Sequence, residues 1–307
     1  MGRGRTLTTG VPASRARLTD ATGPGTTGAY AEIPGPCPDG TSRSAARVDR
    51  DPARIAAMFD RLVPRYDLMN RVMTVGLDRR WRRLAAAEAA PRPGEKVLDV
   101  CCGTGDLALA LAERWPGCVV VGLDFTPGML ARARRKTATR TLPGPSPSFV
   151  EGDVLALPFA AGEFAAVTVG WGVRNVPDLP RALAEMARVT RPGGRVVCLE
   201  STRPPAGLGR RFHALWFERL VPVLGRLIGG DAAAYRYLPA SVQDFPDAER
   251  LAALMAAAGL ERVRYRRLGL GAVALHVGEK PHAPEGGGDR PPAPVLRDDH
   301  RVLGGTG

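Results

Sequence analysis

Lysine is almost missing from this 307-residue chain, occurring only at Lys96, Lys136 and Lys280. Asparagine is rarer still, at Asn70 and Asn175 alone. Isoleucine is scarce too, while Ala, Gly, Pro and Arg abound, the composition of a GC-rich genome that substitutes Arg for Lys whatever the partner. The net charge of +12 therefore does not by itself mark a nucleic-acid surface, and no nucleic-acid partner is expected. No run approaches the roughly 18 consecutive apolar residues of a membrane-spanning helix. The Arg-rich start, MGRGRTLTTGVPASRARL, lacks the apolar core of a secretory signal. The five cysteines, Cys37, Cys101, Cys102, Cys118 and Cys198, form no pair of C-x-x-C clusters, which excludes a structural zinc framework, and no metal is expected. An odd count in a chain this long fits a reducing compartment.

Apolar residues make up 44% of the chain, enough for a sizeable core. They are not spread evenly. Residues 1–50 and 282–307 are dense in Gly, Pro, Ser and Thr and lack periodicity, so both are expected to be disordered tails. The remaining 51–281 has the size of a single domain, with no internal repeat. Inside it, short apolar runs alternate with helical patterns. KVLDV (96–100), CVVVGLD (118–124), SFVEGD (148–153), FAAVTVGW (164–171) and RVVCLES (195–201) read as strands. Helices are expected over 106–115, from Pro127 to about Thr137, and over 179–194, the last closed by Pro-Gly-Gly. A further helix from about Asp247 to Ala258 stops at Gly259 and precedes strands at 263–268 and 272–279. The strands are apolar throughout rather than alternating, which predicts an α/β fold: a mostly parallel sheet with helices on both faces.

The informative element is VLDVCCGTGDLA (97–108). A strand ends near Asp99, a loop carries Gly103 and Gly105, and a helix begins near Asp106. Glycines there let the backbone turn sharply and let a ligand approach without a Cβ in the way. Two ligand classes compete for such a loop. Gly103-x-Gly105-x-x-Ala108, with Asp124 at the end of the next strand, satisfies a relaxed dinucleotide fingerprint. Charge argues for the other class. A pyrophosphate docks on a positive helix N-terminus, and Asp99 and Asp106 would repel it. S-adenosylmethionine carries no phosphate; its sulfonium and ammonium are drawn to an acidic rim. Asp124 remains available to its ribose, and Asp153, at the end of the third strand, to its adenine. The expected cofactor contacts are Asp99, Gly103, Thr104, Gly105, Asp124, Asp153, Val154 and Gly170. Cys101 and Cys102 read as small loop residues, since acidic neighbours raise a thiol pKa rather than activate it.

These residues resemble the glycine-loop motif of the class I methyltransferases, whose fold is a Rossmann-like, seven-stranded, mostly parallel sheet. Three more stretches are similar to the ubiquinone/menaquinone biosynthesis C-methyltransferase family: YDLMNRVMTVGLDRRW (66–81), VGWGVRNVPD (169–178) and RVTRPGGRVVCLEST (188–202). DAAAYRYLPASVQDFPD (231–247) and GAVALHVGEKP (271–281) resemble its carboxyl-terminal part. The resemblance runs from about Ile55 to Pro281. It departs from the family at Thr74, where Ser is usual, and at Asp78, where His is usual, so no general-base role carries over to Asp78. Both asparagines fall inside these stretches, which suggests amide chemistry that Ser or Asp could not supply.

The resemblance implies S-adenosylmethionine-dependent methylation of a ring carbon of a prenylated benzoquinol or naphthoquinol. Demethylmenaquinol is the first expectation, on the GC-rich composition, with a ubiquinone-pathway or other aromatic acceptor as the alternative. Such chemistry needs donor and ring held at attack distance and no covalent nucleophile. Arg174, Asn175 and Tyr66 are the expected catalytic residues: Arg174 to stabilise a developing phenolate, Asn175 to orient the quinol oxygen, Tyr66 as a third hydrogen-bond partner. Residues 208–230 mix Phe212, Trp216 and Phe217 with arginines. That segment reads equally as a basic amphipathic helix at a membrane surface, a greasy groove, or a helix packed on the domain. Tyr235, Arg236 and Tyr237 are candidates to cover the acceptor, and His213 and His276 read as structural. The expected location is the cytoplasm, with peripheral contact at the inner face of the membrane. A nicotinamide-dependent oxidoreductase using the same loop, and a nucleic-acid-binding protein using the arginines, are the rival readings.

Overall fold

Strands that must be buried on both faces cannot alternate, and the central ones here do not. Val97, Leu98 and Val100 of β1 (Lys96–Val100) are inaccessible to solvent, as are Val167 and Val169 of β4 (Phe164–Gly170) and Val196–Leu199 of β5 (Thr190–Ser201). The computed structural model describes residues 48–207, 232–282 and 296–297. In it β2 (Val119–Asp124), β3 (Ser148–Glu151), β6 (Glu261–Leu268), β7 (Val273–Glu279) and a two-residue β8 (Leu296–Arg297) complete a sheet of order β3-β2-β1-β4-β5-β7-β6-β8. The first five strands run parallel, and β7 is antiparallel to both β5 and β6. The chain thus starts in the middle of the sheet, builds outward to β3, and returns to build the other half. The crevice between β1 and β4, where the order reverses, is where α/β sheets bind ligands.

The helices are α1 (Pro52–Leu62), α2 (Tyr66–Met73), α3 (Asp78–Ala89), α4 (Asp106–Arg114), α5 (Pro127–Ala138), α6 (Leu179–Val189), α7 (Ala232–Gln243) and α8 (Ala248–Ala257). Three begin at an aspartate whose side chain accepts from the backbone N–H three residues on, Asp51 for α1, Asp178 for α6 and Asp247 for α8. Each such cap is worth about 1 kcal/mol. Two apolar layers cover the sheet. Leu183, Met186, Leu251 and Met255 pack on one face, and Ala85, Ala86, Leu107 and Leu111 on the other. A third cluster, Ile55, Met58, Phe59, Leu62 and Met69 with Met129 of α5, holds α1 and α2 above the carboxyl end of the sheet.

Two elements differ from expectation, the end of α6 and the two-residue β8. The helix expected over 179–194 ends at Val189, and Thr190–Gly194 already belongs to β5. Pro192 offers no N–H and biases Arg191 towards extended backbone. Gly193 takes a positive φ of 69°, and Thr190 pairs with Phe164 of β4 across a register shift. The segment 208–230, His213 and most of both expected tails lie outside the described residues; Leu296–Arg297 of the carboxyl-terminal tail pairs with Arg264 and Tyr265 at the sheet edge. Among the described residues, no helix is long and apolar enough to cross a membrane.

Candidate active site

The loop after β1 is fixed by backbone before any side chain acts. Cys101 and Gly103 take left-handed φ values of 50° and 53°. The Cys102 N–H reaches the carbonyl of Leu123 on β2, and the Gly103 N–H donates to Asp124 Oδ2 at 2.8 Å. Nothing lies within 4 Å of the position a Cβ on Gly103 would occupy. Gly105 is different. At φ 79° it caps α4, and a Cβ there would sit 3.0 Å from the Phe149 ring. The first glycine is open to a ligand; the second is closed by packing.

Above this loop lies a cavity of about 110 Å³ at the carboxyl ends of the parallel strands. Its polar wall is Asp124, Asp153 and Asn175, and its apolar wall includes Ile55, Phe59 and Met129. Gly103, Val154, Tyr66, Cys101 and Trp171 also border it. No Lys or Arg does. Asp124 is buried, and its Oδ1 accepts from the Thr126 N–H at 2.9 Å. Burial raises its pKa against the pull of the N–H groups of Gly103 and Thr126. Asp153 accepts from the Leu155 N–H. Two carboxylates and no cation suit a neutral or cationic ligand and leave a pyrophosphate without a partner.

The acidic rim expected from the sequence is only half present in this cavity. Asp99 lies beneath the loop, 1% exposed, accepting from Thr168 Oγ1 at 2.8 Å. Burial pushes its carboxyl up to about 7 against that hydrogen bond, and its Oδ2 has no hydrogen-bond partner. It borders a small recess with Tyr66, Arg82, Thr104 and Gly170. Asp106 borders the same recess, where it is held in an ion pair with Lys136 at 2.7 Å and lies 3.7 Å from Arg82. Those cations outweigh burial and hold Asp106 below the usual carboxylate range. Thr104 donates to Asp67 at 2.6 Å and accepts from Lys136. Sequence spacing gives the residues of the loop but not which cavity each one borders. The thiols of Cys101 and Cys102 are pushed well above their ordinary value by burial first and by Asp124 and Asp99 second.

A second, more apolar cavity of about 370 Å³ adjoins the first. Trp171, at φ 58°, borders both. Met73, Trp81, Val242 and Val273 line it, with Asn70, Thr74, Asp78, Arg82, Arg174 and Ser201 as its polar members. Arg174 is not a surface residue. Its Nη1 donates to Glu200 Oε1 at 2.8 Å and to the Trp171 carbonyl at 2.6 Å. Both partners of the pair are buried. Burial alone would lower the Arg174 pKa; the Glu200 carboxylate reverses this and the net shift is upward. Its Nε is a buried donor with no hydrogen-bond partner. Neither Asn70 nor Glu200 is among the site residues expected from the sequence. Asn70 carried a signal in its rarity, whereas Glu200 carried none, being one acid in a strand read as core.

Asn175 sits after β4 in a short 3-10 turn (Val173–Asn175), its Oδ1 accepting from Tyr237 Oη at 3.0 Å. Tyr66 opens α2, and burial first raises its pKa, with a side-chain hydrogen bond to Asn70 and the charge of Arg174 opposing. The phenol therefore stays protonated at neutral pH. Asp78 pairs with Arg82 and accepts from Thr74 Oγ1 at 3.2 Å. His276 is structural: its Nε2 bonds the Ala248 carbonyl at 2.9 Å, and burial lowers its pKa to about 4.

A glycine loop after the first strand, an acid at the end of the second, and an antiparallel β7 inserted beside β5 define a Rossmann-like methyltransferase fold. Solved structures share it: a SAM-dependent methyltransferase from Thermotoga maritima (TM-score 0.53, 18% identity, covering 74% of this chain and 99% of that one), and the [4+2]-cyclase SpnF (TM-score 0.55, 18% identity, 75% and 96%). SpnF bears a cyclase's name, so the fold alone does not fix the reaction. Sequence narrows it. The chain matches the ubiE/COQ5 methyltransferase family over residues 47–280, and it belongs to that family. Among its relatives, the demethylmenaquinone methyltransferase of Thermus thermophilus is 51% identical over 224 residues, 73% of this chain and 100% of the relative. That of Deinococcus radiodurans is 48% identical over 226 residues, covering 74% and 92%.

Proposed function

We propose that the protein transfers a methyl group from S-adenosylmethionine to a ring carbon of a prenylated quinol, demethylmenaquinol first, and that residues 51–281 form the catalytic domain. The observation that carries the reading is the pairing of an acid-lined cavity, free of Lys and Arg among the described residues, with a larger apolar one across the Trp171 ring. The names of the relatives, which match most of the chain, support the acceptor.

In this reading Asp124 takes the ribose hydroxyls, Asp153 and Val154 border the adenine, Gly103 admits the sulfonium end, and Asp99, Thr104 and Gly170 edge the recess beside it. Gly105 shapes the loop. S-adenosylmethionine, when bound, supplies an electrophilic methyl whose C–S bond electrons leave with sulfur. The new C–C bond replaces a ring C–H bond, whose proton is released to solvent as aromaticity returns; the chain's own work is to hold the ring against the methyl and to manage the quinol hydroxyl. Arg174, its charge matched by Glu200, acts as a hydrogen-bond donor to the developing phenolate rather than as a bare cation. Asn175, its carbonyl oxygen engaged by Tyr237, keeps its amide N–H groups for an oxygen acceptor. Tyr66, held protonated, donates or relays through Asn70. The proposed location is cytoplasmic, at the inner face of the membrane, where a prenylated acceptor resides.

Calorimetry with S-adenosylhomocysteine and with NADH tests the cofactor, and preference for NADH overturns the reading. Mass spectrometry of the quinone pool after deletion of the protein tests the acceptor. Accumulation of a species lighter by one methyl group is the expected result; an unchanged pool refutes it.

A further inference from the structure

Hydrophobic side chains exposed at a turn need a reason, and those held in left-handed backbone need a stronger one. Val75, in the turn between α2 and α3, has φ 52° and is 69% exposed. Leu270, in the turn between β6 and β7, has φ 56° and is also 69% exposed. Glycine or asparagine would sit at either position with less strain and would not present apolar surface. With Leu77, 41% exposed, both border the apolar cavity described above. The two turns are neighbours: a Cβ on Gly269 would lie 2.8 Å from the Trp81 ring of α3.

Among the described residues, charge beside this apolar rim is not fully compensated. A polar cleft shares Asp78 and Arg82 with the apolar cavity, and Arg71, Arg79 and Arg83 line it. The acids facing the same cleft are already engaged: Asp67 and Asp106 by Lys136, Asp78 by Arg82, and Glu113 by Arg140. Arg71, Arg79 and Arg83 are exposed and make no ion pair among the described residues.

We propose that the α2–α3 and β6–β7 turns together form a docking face for an anionic phospholipid bilayer, with Val75, Leu77 and Leu270 entering the acyl boundary and Arg71, Arg79 and Arg83 meeting the headgroups. Aliphatic tips with cations in the adjoining cleft that have no ion-pair partner among the described residues are complementary to such a surface. The face also places the mouth of the apolar cavity against the bilayer, so that a prenylated acceptor reaches it without crossing water. That last consequence rests on the proposed acceptor; the docking itself does not.

The test is flotation of the full-length protein with phosphatidylcholine vesicles, with and without phosphatidylglycerol. Wild type is expected to bind only vesicles containing phosphatidylglycerol, and to release in high salt. Each arginine near an anionic surface strengthens binding roughly fivefold, so a combined Arg71→Gln, Arg79→Gln, Arg83→Gln variant is expected to bind roughly a hundredfold more weakly. That variant should methylate a tail-free, water-soluble quinol at the wild-type rate. A Val75→Asn, Leu270→Asn variant, whose new residues tolerate left-handed backbone, should lose vesicle binding while keeping its melting temperature and S-adenosylhomocysteine affinity. Absence of wild-type binding, equal binding to neutral vesicles, or retention of binding by both variants overturns the proposal. If wild type binds as described but methylates no quinol, the acceptor reading falls and the docking face stands.

Discussion

Replacing Glu200 by Gln strands a buried guanidinium, and the structure sets the scale of the damage. The carboxylate accepts from Arg174 Nη1 at 2.8 Å, from the Arg174 N–H at 3.3 Å and from the Ser201 N–H at 2.8 Å. Glutamine keeps the volume but removes the charge, and its amide nitrogen turns a donor towards donors. Breaking a buried pair from one side costs about 3–5 kcal/mol. For a domain of this size each kcal/mol lowers Tm by about 2–4 °C, so Glu200→Gln is expected to melt about 6–20 °C below wild type. Thermal and urea unfolding with matched m-values are the assay. A companion variant separates charge from packing: Glu200→Met with Arg174→Met removes both partners and should recover most of that stability. It should not recover methyl transfer, because the Arg174 hydrogen bonds are gone. A Glu200→Gln loss below about 1 kcal/mol would refute the argument, since Arg174 would then have a partner other than Glu200.

The other predictions concern the glycine loop. Asp124→Asn turns an amide donor against the N–H of Gly103 or Thr126 and loses charged hydrogen bonds worth about 1.5–3 kcal/mol, so the free protein should melt about 3–12 °C lower; calorimetry should also show S-adenosylhomocysteine binding weakened about tenfold to a hundredfold, through loss of the ribose acceptor. Asp99, raised from 3.8 to about 7 by burial, holds its proton more tightly folded than unfolded, so its contribution to stability falls as pH rises through that window and is level above it. Asp99→Asn removes this slope, and its stability relative to wild type should climb between those limits by at most about 4 kcal/mol; a difference that is flat with pH would show that Asp99 is an ordinary carboxylate. His276, lowered to about 4 by burial, titrates with the opposite sign in both proteins and cancels from that comparison. Gly105→Ala places a Cβ at φ 79° and 3.0 Å from Phe149, and urea unfolding should show a loss of about 1–2 kcal/mol.

Much of this was legible because the central strands carry their burial in their composition. KVLDV and FAAVTVG have no polar alternation, and both became strands buried on two faces. The end of α6 was misread because Arg-Pro-Gly-Gly stops a helix and begins β5 in one stroke, and only pairing with β4 reveals the second role. In the site, spacing brought Asp124 and Asp153 to the cavity edge but could not tell them from Asp99 and Asp106. Those two are set apart by partners distant in sequence, Thr168 for Asp99 and Lys136 for Asp106. Glu200 was invisible for the same reason, since its meaning comes from Arg174, 26 residues away.

The Trp171 ring has one further consequence. It is a wall of both cavities, with the Arg82 guanidinium 4.8 Å from its centroid and Trp81 behind it at 6.3 Å. Any displacement of the indole by an occupant of one chamber alters the shape of the other. Thermodynamic reciprocity then ties the two equilibria together: whatever factor the first guest imposes on the affinity of the second, the second returns to the first.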